Sequence, residues 1–217
     1  MSSLFISLEG GEGAGKSTQA RLLAQFLTDR GHQVLLTREP GGTSLGATIR
    51  QLFLQSEYLT PMTELFLLMS DRSHHVNQLI RPSLLAGKIV ITDRFVDSTV
   101  AYQGFGHGID RDWIDQLNYQ ATGGLMPQLT FWLDVPPHLG LERASMKTPH
   151  QDRMEKLNLQ FHQSVRQGFE TVWQREPDRV KRIDGSLSVE SVSQSIRNLL
   201  EQSNYFELLS TVVKDYD

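Results

Sequence analysis

Short apolar runs alternate along the chain with longer stretches in which apolar residues recur every three or four positions. The runs are typical of buried strands. They predict five strands, at Leu4–Leu8, Gln33–Thr37, Ile89–Thr92, Leu129–Val135 and Val180–Asp184. Strands separated by helices favour a parallel sheet with right-handed crossovers and helices on both faces. The pattern therefore predicts an α/β protein with a five-stranded parallel sheet.

The stretches between the strands carry apolar residues at helical spacing, and several begin with a helix-start signal. Pro61 and Pro137 suit a first turn because proline has no N–H to leave unpaired there, and Asp110 is a typical cap. The polar segment Lys147–Asp152 predicts a loop. The predicted helices are Thr18–Arg30, Thr43–Leu54, Pro61 to about Leu85, Asp110 to about Leu117, Pro137 to about Lys147, Arg153–Arg175 and Ser188 to about Gln202.

The composition is that of an ordinary globular protein, with 39% hydrophobic and 21% charged residues among 217. That length suits one domain with a sizeable core. A net charge of −4 and the lack of a basic run argue against a nucleic-acid polymer as partner. No apolar run approaches the roughly 18 residues that span a bilayer, so no membrane partner is expected and the cytoplasm is the default location. The lack of cysteine excludes disulfides and cysteine-based metal sites.

The most informative segment stands between the first strand and the first helix. Its sequence is Gly10-Gly11-Glu12-Gly13-Ala14-Gly15-Lys16-Ser17. The spacing fits G-x-x-x-x-G-K-[ST], in which backbone N–H groups cradle phosphates, the lysine reaches the β- and γ-phosphates and the hydroxyl binds Mg²⁺. A glycine-rich turn without a ligand is the weaker alternative, because the motif has a strand before it and a helix after it.

Ligands of parallel sheets bind beyond the carboxyl ends of the strands, and here those ends are followed by charged segments. After the second strand, Arg38 either binds a phosphate or pairs with Glu39. After the third, Asp93 is well placed to hold Mg²⁺ and Arg94 to clamp a second phosphate. The alternative for the last two residues is a buried ion pair that only fixes the strand end.

Three further groups of residues are less specific. Arg72, on the long third helix, is either solvated or a ligand contact. The neighbouring His74 and His75 are adjacent, which is poor spacing for metal ligands, and are interpreted as solvated or satisfied in the core. Segment 98–104 suits recognition of a base and sugar, or an ordinary helix end. Three cations near the polar loop are either solvated or deliver charge to a moving phosphoryl group: Arg143, Lys147 and Arg153.

In this order along the chain, the motifs closely resemble those of the thymidylate kinases, a family of P-loop nucleoside monophosphate kinases. The resemblance extends from Leu4 to about Leu200. The segments that carry it are Glu9–Ser17, Thr37–Thr43, Asp71-Arg72, Asp93–Phe95, Asp97–Thr99, Ala101–Gly104, Pro127–Thr130, Leu133–Val135 and Asp152–Glu155. It implies the P-loop NTPase fold with a short lid at about 144–153, in one kinase domain over 1–203 followed by a tail over 204–217.

The resemblance implies transfer of the γ-phosphoryl group of ATP to dTMP, giving ADP and dTDP, with Mg²⁺ as cofactor. It also implies a cytoplasmic homodimer. In the donor half, Lys16 would bind the β- and γ-phosphates, and Ser17 together with Asp93 would hold Mg²⁺. The residues implied to surround ATP are Gly10, Gly11, Glu12, Gly13, Ala14, Gly15, Lys16, Ser17, Thr18 and Arg143.

In the acceptor half, the resemblance implies that Arg38 and Arg94 hold the phosphate of dTMP. Arg72 and Gln103 would address the thymine, and Tyr102 would sit against the deoxyribose. The residues implied to bind dTMP are Glu12, Arg38, Arg50, Leu68, Arg72, Arg94, Thr99, Tyr102 and Gln103. The residues expected to act in catalysis are Lys16, Arg94, Arg153 and Lys147.

Two features of the sequence depart from the family pattern: the lid without an arginine, and Leu68. Members of the family carry a catalytic arginine in the phosphate loop or in the lid; this loop has none, and neither has the lid between Ala144 and Asp152. The catalytic cation is therefore expected to be Lys147 or Arg153. Leu68 stands where the family usually has Phe or Tyr, so thymine would pack on an aliphatic side chain or Phe66 would reach in.

Helical geometry argues against Phe66. It precedes Arg72 by six residues, about 600° around a helix, and so points away from Leu68. Two other classes of function stay open at this point. A kinase of another small acceptor is one, although two arginines suit an acceptor that carries a phosphate. A nucleotide-dependent switch is the other, but the Asn-Lys-x-Asp segment of a GTPase does not occur in the chain.

Overall fold

The computed structural model describes residues 3–147 and 152–205, and it contains the predicted sheet. All strand pairs are parallel, in the order β2-β3-β1-β4-β5. The strands are β1 (Leu4–Glu9), β2 (Val34–Arg38), β3 (Ile89–Asp93), β4 (Leu129–Asp134) and β5 (Val180–Asp184). Each differs from its predicted range by at most one residue at either end, which confirms the five apolar runs as strands.

The helices connect these strands. They are α1 (Lys16–Thr28), α2 (Ser44–Gln55), α3 (Pro61–His75), α4 (Arg81–Leu85), α5 (Val96–Thr99), α6 (Arg111–Thr122), α7 (Pro137–Lys147), α8 (Leu159–Arg175) and α9 (Val189–Glu201). The long third helix was predicted as one element, and π-helical turns over Val76–Ile80 join its two α-helical parts. A second π-helical segment, Val100–Gly106, extends α5. Such segments are frequent at functional sites.

One helix prediction needs correction. The helix expected from Arg153 begins only at Leu159, where the Asn158 side chain caps it by accepting from Phe161 N at 2.9 Å. The preceding residues form turns around Asp152, whose carboxylate accepts from the next residues' backbone. These local bonds compete with a helix. The helical stretch over 96–106 carries no sequence prediction of its own.

The sheet separates two layers of helices. On one side, alternate residues of β1 (Leu4, Ile6 and Leu8) pack with α1 and α9. On the other side, Phe5 packs with the π-helical part of the third helix, and Trp132 of β4 stacks on Phe169 of α8 at 6.3 Å between ring centroids. Successive side chains of a strand point to opposite faces of the sheet, and in β1 and β4 both faces are buried under helices.

The strand register decides which loops meet at the site. Leu8 and Arg38 both pair with Asp93, so the ends of β1, β2 and β3 lie side by side. The segments after them are therefore neighbours at one edge, as the rule for parallel sheets requires. None of the helices in the described ranges has the length and apolar run needed to cross a membrane.

Two sequence predictions fall partly outside the described residues. The structure does not describe residues 148–151 of the predicted lid or residues 206–217 of the predicted tail. The division into a kinase domain over 1–203 and a tail over 204–217 stays a prediction.

Candidate active site

The glycine-rich loop joins β1 to α1. Gly15, with φ 89°, precedes the first helical residue, and α1 has neither a side-chain cap nor an acidic residue in its first turn. Gly13 has φ 64°, and a Cβ there would lie 1.9 Å from the carbonyl oxygen of Gly140 on α7. The loop can therefore pack against α7 only with glycine at this position. An uncapped helix start with free N–H groups is the arrangement that binds phosphate.

Lys16 lies inside this loop, where its Nζ donates to the carbonyl of Gly11 at 2.8 Å. Its side chain is buried. Burial, followed by the charge of Arg94, lowers the pKa of Lys16 to about 8. An anion bound in the loop would favour the charged ammonium and reverse this shift.

Ser17 and Asp93 meet between the loop and the end of β3. The Ser17 hydroxyl donates to a carboxylate oxygen of Asp93. A hydroxyl and a carboxylate are hard oxygen donors of the kind that Mg²⁺ prefers. In the described ranges, no cluster of three or more His, Asp or Glu side chains could hold a metal by itself. This pair suits an ion that takes its other ligands from phosphates and water.

Arg94 follows β3 and joins the loop to the rest of the site. Its guanidinium donates to Glu12 of the loop at 2.8 Å and to the Tyr102 hydroxyl at 3.1 Å, and Tyr102 donates to Glu12 at 2.6 Å. Burial alone would raise the pKa of Glu12, but the charges of Arg94 and Lys16 outweigh it and lower that pKa to about 2. Glu12 is therefore ionised at neutral pH. The pairing of Asp93 with Arg94, an alternative from the sequence, does not occur.

Glu9 was not predicted as a site residue, yet it supports this corner. It is buried at the end of β1, accepts from Phe95 N at 2.7 Å and from the Ser98 hydroxyl at 2.6 Å. Burial and the charge of Asp97 raise the pKa of Glu9 to about 7. The signal in the sequence is a charged residue that closes an otherwise apolar strand.

Beside Arg94 opens a cleft that combines charged and apolar side chains, as small-molecule sites do. It is bounded by α2, α3 and the helical segment 96–106. The lining residues are Glu12, Glu39, Pro40, Arg50, Phe53, Leu54, Leu68, Arg72, Arg94, Ser98, Thr99, Tyr102, Gln103, Asp152 and Met154. Predicted acceptor residues from five different chain segments thus meet around one cavity.

Two further arginines lie near Arg94: Arg50 lines the cleft, whereas Arg38 lines the neighbouring groove beside Ser17 and Asp93. Arg50 donates to the Pro40 carbonyl at 3.1 Å, and burial, together with the charges of Arg38 and Arg94, lowers the pKa of Arg50. Arg38 is exposed, and its guanidinium makes no ion pair within the described residues. The sequence alternative that Arg38 pairs with Glu39 is wrong, because Glu39 is occupied elsewhere. The charges of Arg38 and Arg94 thus act on Arg50, and a bound anion would offset them.

Arg72 is buried and almost fully bonded. Its donors reach Glu39 at 2.8 Å, Thr99 at 2.8 Å, Asn118 at 2.5 Å and the Phe95 carbonyl at 3.0 Å. A guanidinium has five N–H donors, so one remains for a ligand. The interpretation of Arg72 as a solvated residue is therefore wrong.

His75 supports the same network from α3. Its ring contacts Glu39 at 2.9 Å and the Thr37 hydroxyl at 2.7 Å, and it is fully buried. This confirms His75 as a core-satisfied histidine. His75 follows Arg72 by three residues, so the two side chains lie on one face of α3. This spacing is the feature of the sequence that could have indicated a shared partner, which the structure shows to be Glu39.

The orientation of the Gln103 side-chain amide is fixed by its hydrogen-bond partner, Glu64. The buried Glu64 on α3, another residue that was not predicted, accepts from the Gln103 amide nitrogen at 3.2 Å. A carboxylate with lowered pKa can only accept, and hydrogen bonds and charges from His107 and Arg153 lower the pKa of Glu64 against the effect of burial. The amide oxygen of Gln103 is left buried, with no partner among the described residues. It is an acceptor free for a ligand donor.

The apolar part of the cleft includes Leu68, as expected, and Phe53 from α2. Phe66 is half exposed and packs edge-on against Trp113, at 6.1 Å between ring centroids. The prediction that Phe66 points away from Leu68 is confirmed.

Comparisons with known proteins agree with this geometry. A family model described as thymidylate kinase matches residues 8–196. The thymidylate kinase of Synechococcus sp. strain JA-2-3B'a(2-13) is 48% identical over 198 residues, which cover 91% of this chain and 94% of that protein. The chain belongs to the thymidylate kinase family.

Other thymidylate kinases are also similar to this chain. That of Gloeobacter violaceus is 48% identical over 202 residues, covering 91% of this chain and 94% of that protein. The crystal structure of the thymidylate kinase from Ehrlichia chaffeensis matches with a TM-score of 0.78 and 36% identity over 93% of this chain and 100% of that chain. These findings confirm the P-loop NTPase fold and make the chain a nucleoside monophosphate kinase that converts dTMP to dTDP with ATP.

The three cations assigned to the predicted lid, Arg143, Lys147 and Arg153, do not lie together. Arg143 on α7 donates to the carbonyls of Gly185 and Ser186 after β5, at 2.7 and 2.8 Å. Arg153 bonds Glu64 on α3 and the Phe53 carbonyl on α2. Lys147 ends α7, and its side chain is outside the described part, as are residues 148–151. The structure thus brings Glu12, Arg94 and the cleft residues together, but not Arg153 with the phosphate loop.

Proposed function

We propose that dTMP binds in the cleft and receives the γ-phosphoryl group of ATP held by the glycine-rich loop. The observation that supports this most directly is the position of Glu12. One carboxylate of the donor loop bonds both Arg94 and Tyr102 of the cleft, at 2.8 and 2.6 Å. The two subsites therefore meet at a single group, which is where the phosphoryl group has to cross.

For the donor half, we assign the ATP phosphates to the loop Gly10–Ser17 with Thr18, and the β- and γ-phosphates to Lys16. Arg143, which bonds the carbonyls of Gly185 and Ser186, is also assigned to ATP. Ser17 and Asp93 fit Mg²⁺ because they offer two hard oxygens side by side. Bound there, the ion would neutralise phosphate charge.

For the acceptor half, the phosphate of dTMP is assigned to Arg38, Arg50 and Arg94. The lowered pKa of Arg50 beside two other guanidinium groups supports an anion at this point. Planar guanidinium forks match phosphate oxygens in pairs. An acceptor without a phosphate would leave these charges facing one another, which disfavours a nucleoside as substrate.

For the base, thymine is assigned to Gln103 and Arg72, with Thr99 holding Arg72. Thymine offers an N3–H donor flanked by two carbonyl oxygens. The free amide oxygen of Gln103 would accept from N3–H, and the one unused donor of Arg72 suits a carbonyl. Cytosine has no hydrogen at N3, so it would leave that oxygen unpaired, and an unpaired buried polar group is costly.

Glu12 is assigned a positioning role. The acceptor is a phosphate oxygen that is already largely deprotonated near neutral pH, so the reaction needs orientation and charge rather than a base. A carboxyl group with a pKa of about 2 is also a poor base at pH 7. It holds Arg94 and Tyr102 in place on the acceptor side of the loop.

The catalytic cations are proposed to be Lys16 and Arg94 with one residue of the lid. The sequence offers Lys147 and Arg153 for that third role, and Arg153 would have to leave Glu64 to fill it. We also propose a homodimer in the cytoplasm. The family resemblance supports the dimer, and the use of ATP supports the location.

A coupled ADP-release assay across dTMP, dUMP, dCMP, dGMP, UMP and thymidine tests the proposal. We expect the highest kcat/KM for dTMP, an appreciable rate for dUMP, which shares the N3–H donor, and little turnover of dCMP or thymidine. Preference for dCMP would overturn the assignment of Gln103. Efficient turnover of thymidine would overturn the assignment of the three arginines.

A further inference from the structure

The base pocket of this protein lacks an aromatic ring at position 68, and a pyrimidine ring needs a flat apolar wall. Two aromatic residues are present in the described lining of the cleft, Phe53 and Tyr102. Tyr102 is already engaged: its hydroxyl bonds Glu12, and the Arg94 guanidinium lies over its ring at 4.9 Å. Phe53 is left as the ring available to the base.

Phe53 is held in a defined position. Its side chain is 6% exposed, and the guanidinium of Arg153 lies over its ring, 4.9 Å from the centroid. Arg153 Nε also donates to the Phe53 carbonyl at 3.1 Å. An arginine over a buried ring is attracted to the face of that ring. The side chain therefore has little freedom to turn away from the cleft.

The same arginine connects this ring to the residue that reads the base. Arg153 pairs with the fully buried Glu64, and Glu64 also fixes the amide of Gln103. One carboxylate thus anchors the apolar wall from α2 and the hydrogen-bonding edge from the segment after α5. This arrangement sets the ring and the amide relative to each other.

We propose that Phe53 is the aromatic wall of the thymine pocket and that Arg153, anchored on Glu64, is its positioning residue. The inference rests on the proposed binding of dTMP in this cleft. It assigns a specificity-determining role to a position on α2, one helix away from Leu68. Contact between a base and an aromatic ring is worth enough that its loss weakens binding by about tenfold.

The test uses Phe53→Leu in the full-length enzyme, with KM for dTMP, KM for ATP and kcat measured at saturating co-substrate. We expect KM for dTMP to rise about tenfold, with KM for ATP within about twofold of the wild type. Phe26→Leu is the matched control. Phe26 on α1 also carries an arginine over its ring, Arg30 at 3.6 Å, but does not line the cleft.

Two additional variants make the result specific. Phe53→Leu with Leu68→Phe returns a ring to the pocket from α3, and we expect KM for dTMP to recover to within about threefold of the wild type. Phe53→Met retains a flexible apolar side chain that fills gaps. It is expected to show the same rise in KM and serves where the leucine variant proves poorly folded by circular dichroism.

Arg153→Met tests the positioning role, because it retains volume and removes the guanidinium. We expect KM for dTMP to rise and the double variant with Phe53→Leu to show no further rise, since both act on one ring. A fall in kcat with KM unchanged would overturn the role of Arg153. An unchanged KM in Phe53→Leu, in an enzyme that prefers dTMP, would overturn this inference alone, whereas a wild type without that preference would overturn the proposed function.

Discussion

Arg94→Ala is the substitution that separates the two halves of the site most directly. The guanidinium donates to the Gly10 carbonyl at 3.0 Å, the Ser98 hydroxyl at 3.1 Å, Glu12 at 2.8 Å and Tyr102 at 3.1 Å. Without it, Glu12 loses the positive charge that lowers its pKa most, so the pKa of Glu12 rises from about 2. The acceptor phosphate would also lose one of the three guanidinium groups proposed to bind it.

The magnitude follows from the charge pair that Arg94 would form with the acceptor phosphate in this partly buried corner. Truncating one member of a buried, hydrogen-bonded charge pair costs about 2–5 kcal/mol. At about 1.4 kcal/mol per factor of ten, kcat/KM for dTMP should fall between about 30-fold and about 4000-fold. Lysine restores the charge without the planar fork, so Arg94→Lys should lie between the alanine variant and the wild type.

Steady-state ADP release with dTMP and ATP varied separately measures this loss. Arg182→Ala is the matched control. Like Arg94, Arg182 pairs with a carboxylate, that of Asp134, and lies over an aromatic ring, 5.2 Å from the Trp132 centroid. Unlike Arg94, it does not line the cleft. Near-normal kcat/KM for dTMP in Arg94→Ala would show that the acceptor phosphate binds elsewhere. An equal loss in the control would show that the assay reports only general damage.

Four other predictions concern the loop, the metal and the lid. Lys16→Ala should abolish turnover in the ADP-release assay without unfolding the enzyme, and measurable kcat above about 1% of wild type would contradict its role. Chelation of Mg²⁺ by EDTA should stop the reaction, and Asp93→Asn should raise the Mg²⁺ concentration for half-maximal rate about tenfold; an unchanged requirement would remove Asp93 from the metal site. Because the pKa of Glu12 is lowered from 4.5 to about 2, its ionisation stabilises the fold fully above pH 4.5 and progressively less as pH falls towards 2. Thermal melts should therefore show a smaller loss of Tm from pH 5 to pH 3 in Glu12→Gln than in the wild type, and parallel curves would refute the low pKa. Single-turnover rates of Lys147→Ala and Arg153→Ala should show which one supplies the lid charge, and unchanged rates in both would move that role to Arg143 or beyond the lid.

The fold could be predicted from sequence because apolar periodicity reports burial directly. The runs that became β1, β3 and β4 are buried almost throughout, and such strands read as continuous apolar segments, whereas β2 and β5 at the sheet edges are only partly buried. The error at residues 153–158 has the opposite origin. Their apolar side chains follow a helical pattern, but the carboxylate of Asp152 and the amide of Asn158 bond backbone groups locally and delay the helix until Leu159.

The site could be predicted where a motif fixes the chemistry, and less where tertiary contacts fix it. The glycine spacing places Lys16 and Ser17 without knowledge of the rest of the chain. Glu64 and Phe53 are different, since each gains its importance from partners on other elements. Arg153 shows the same limit: its place after the polar loop suggests a lid cation, while the structure has it bound to Glu64.

The backbone at Arg94 explains why β1 ends in a buried carboxylate. Arg94 has φ 72°, a left-handed conformation that costs a residue with a side chain about 1–2 kcal/mol. Such residues persist at functional sites when their surroundings fix them. Here the Arg94 N–H donates to the Leu8 carbonyl at 3.0 Å, its carbonyl accepts from the Thr92 hydroxyl at 2.9 Å, and the next N–H, of Phe95, donates to Glu9 at 2.7 Å. Glu9, at the end of β1, thus supports the turn after β3 that holds Arg94 in this conformation, by accepting from the N–H of the residue that follows Arg94.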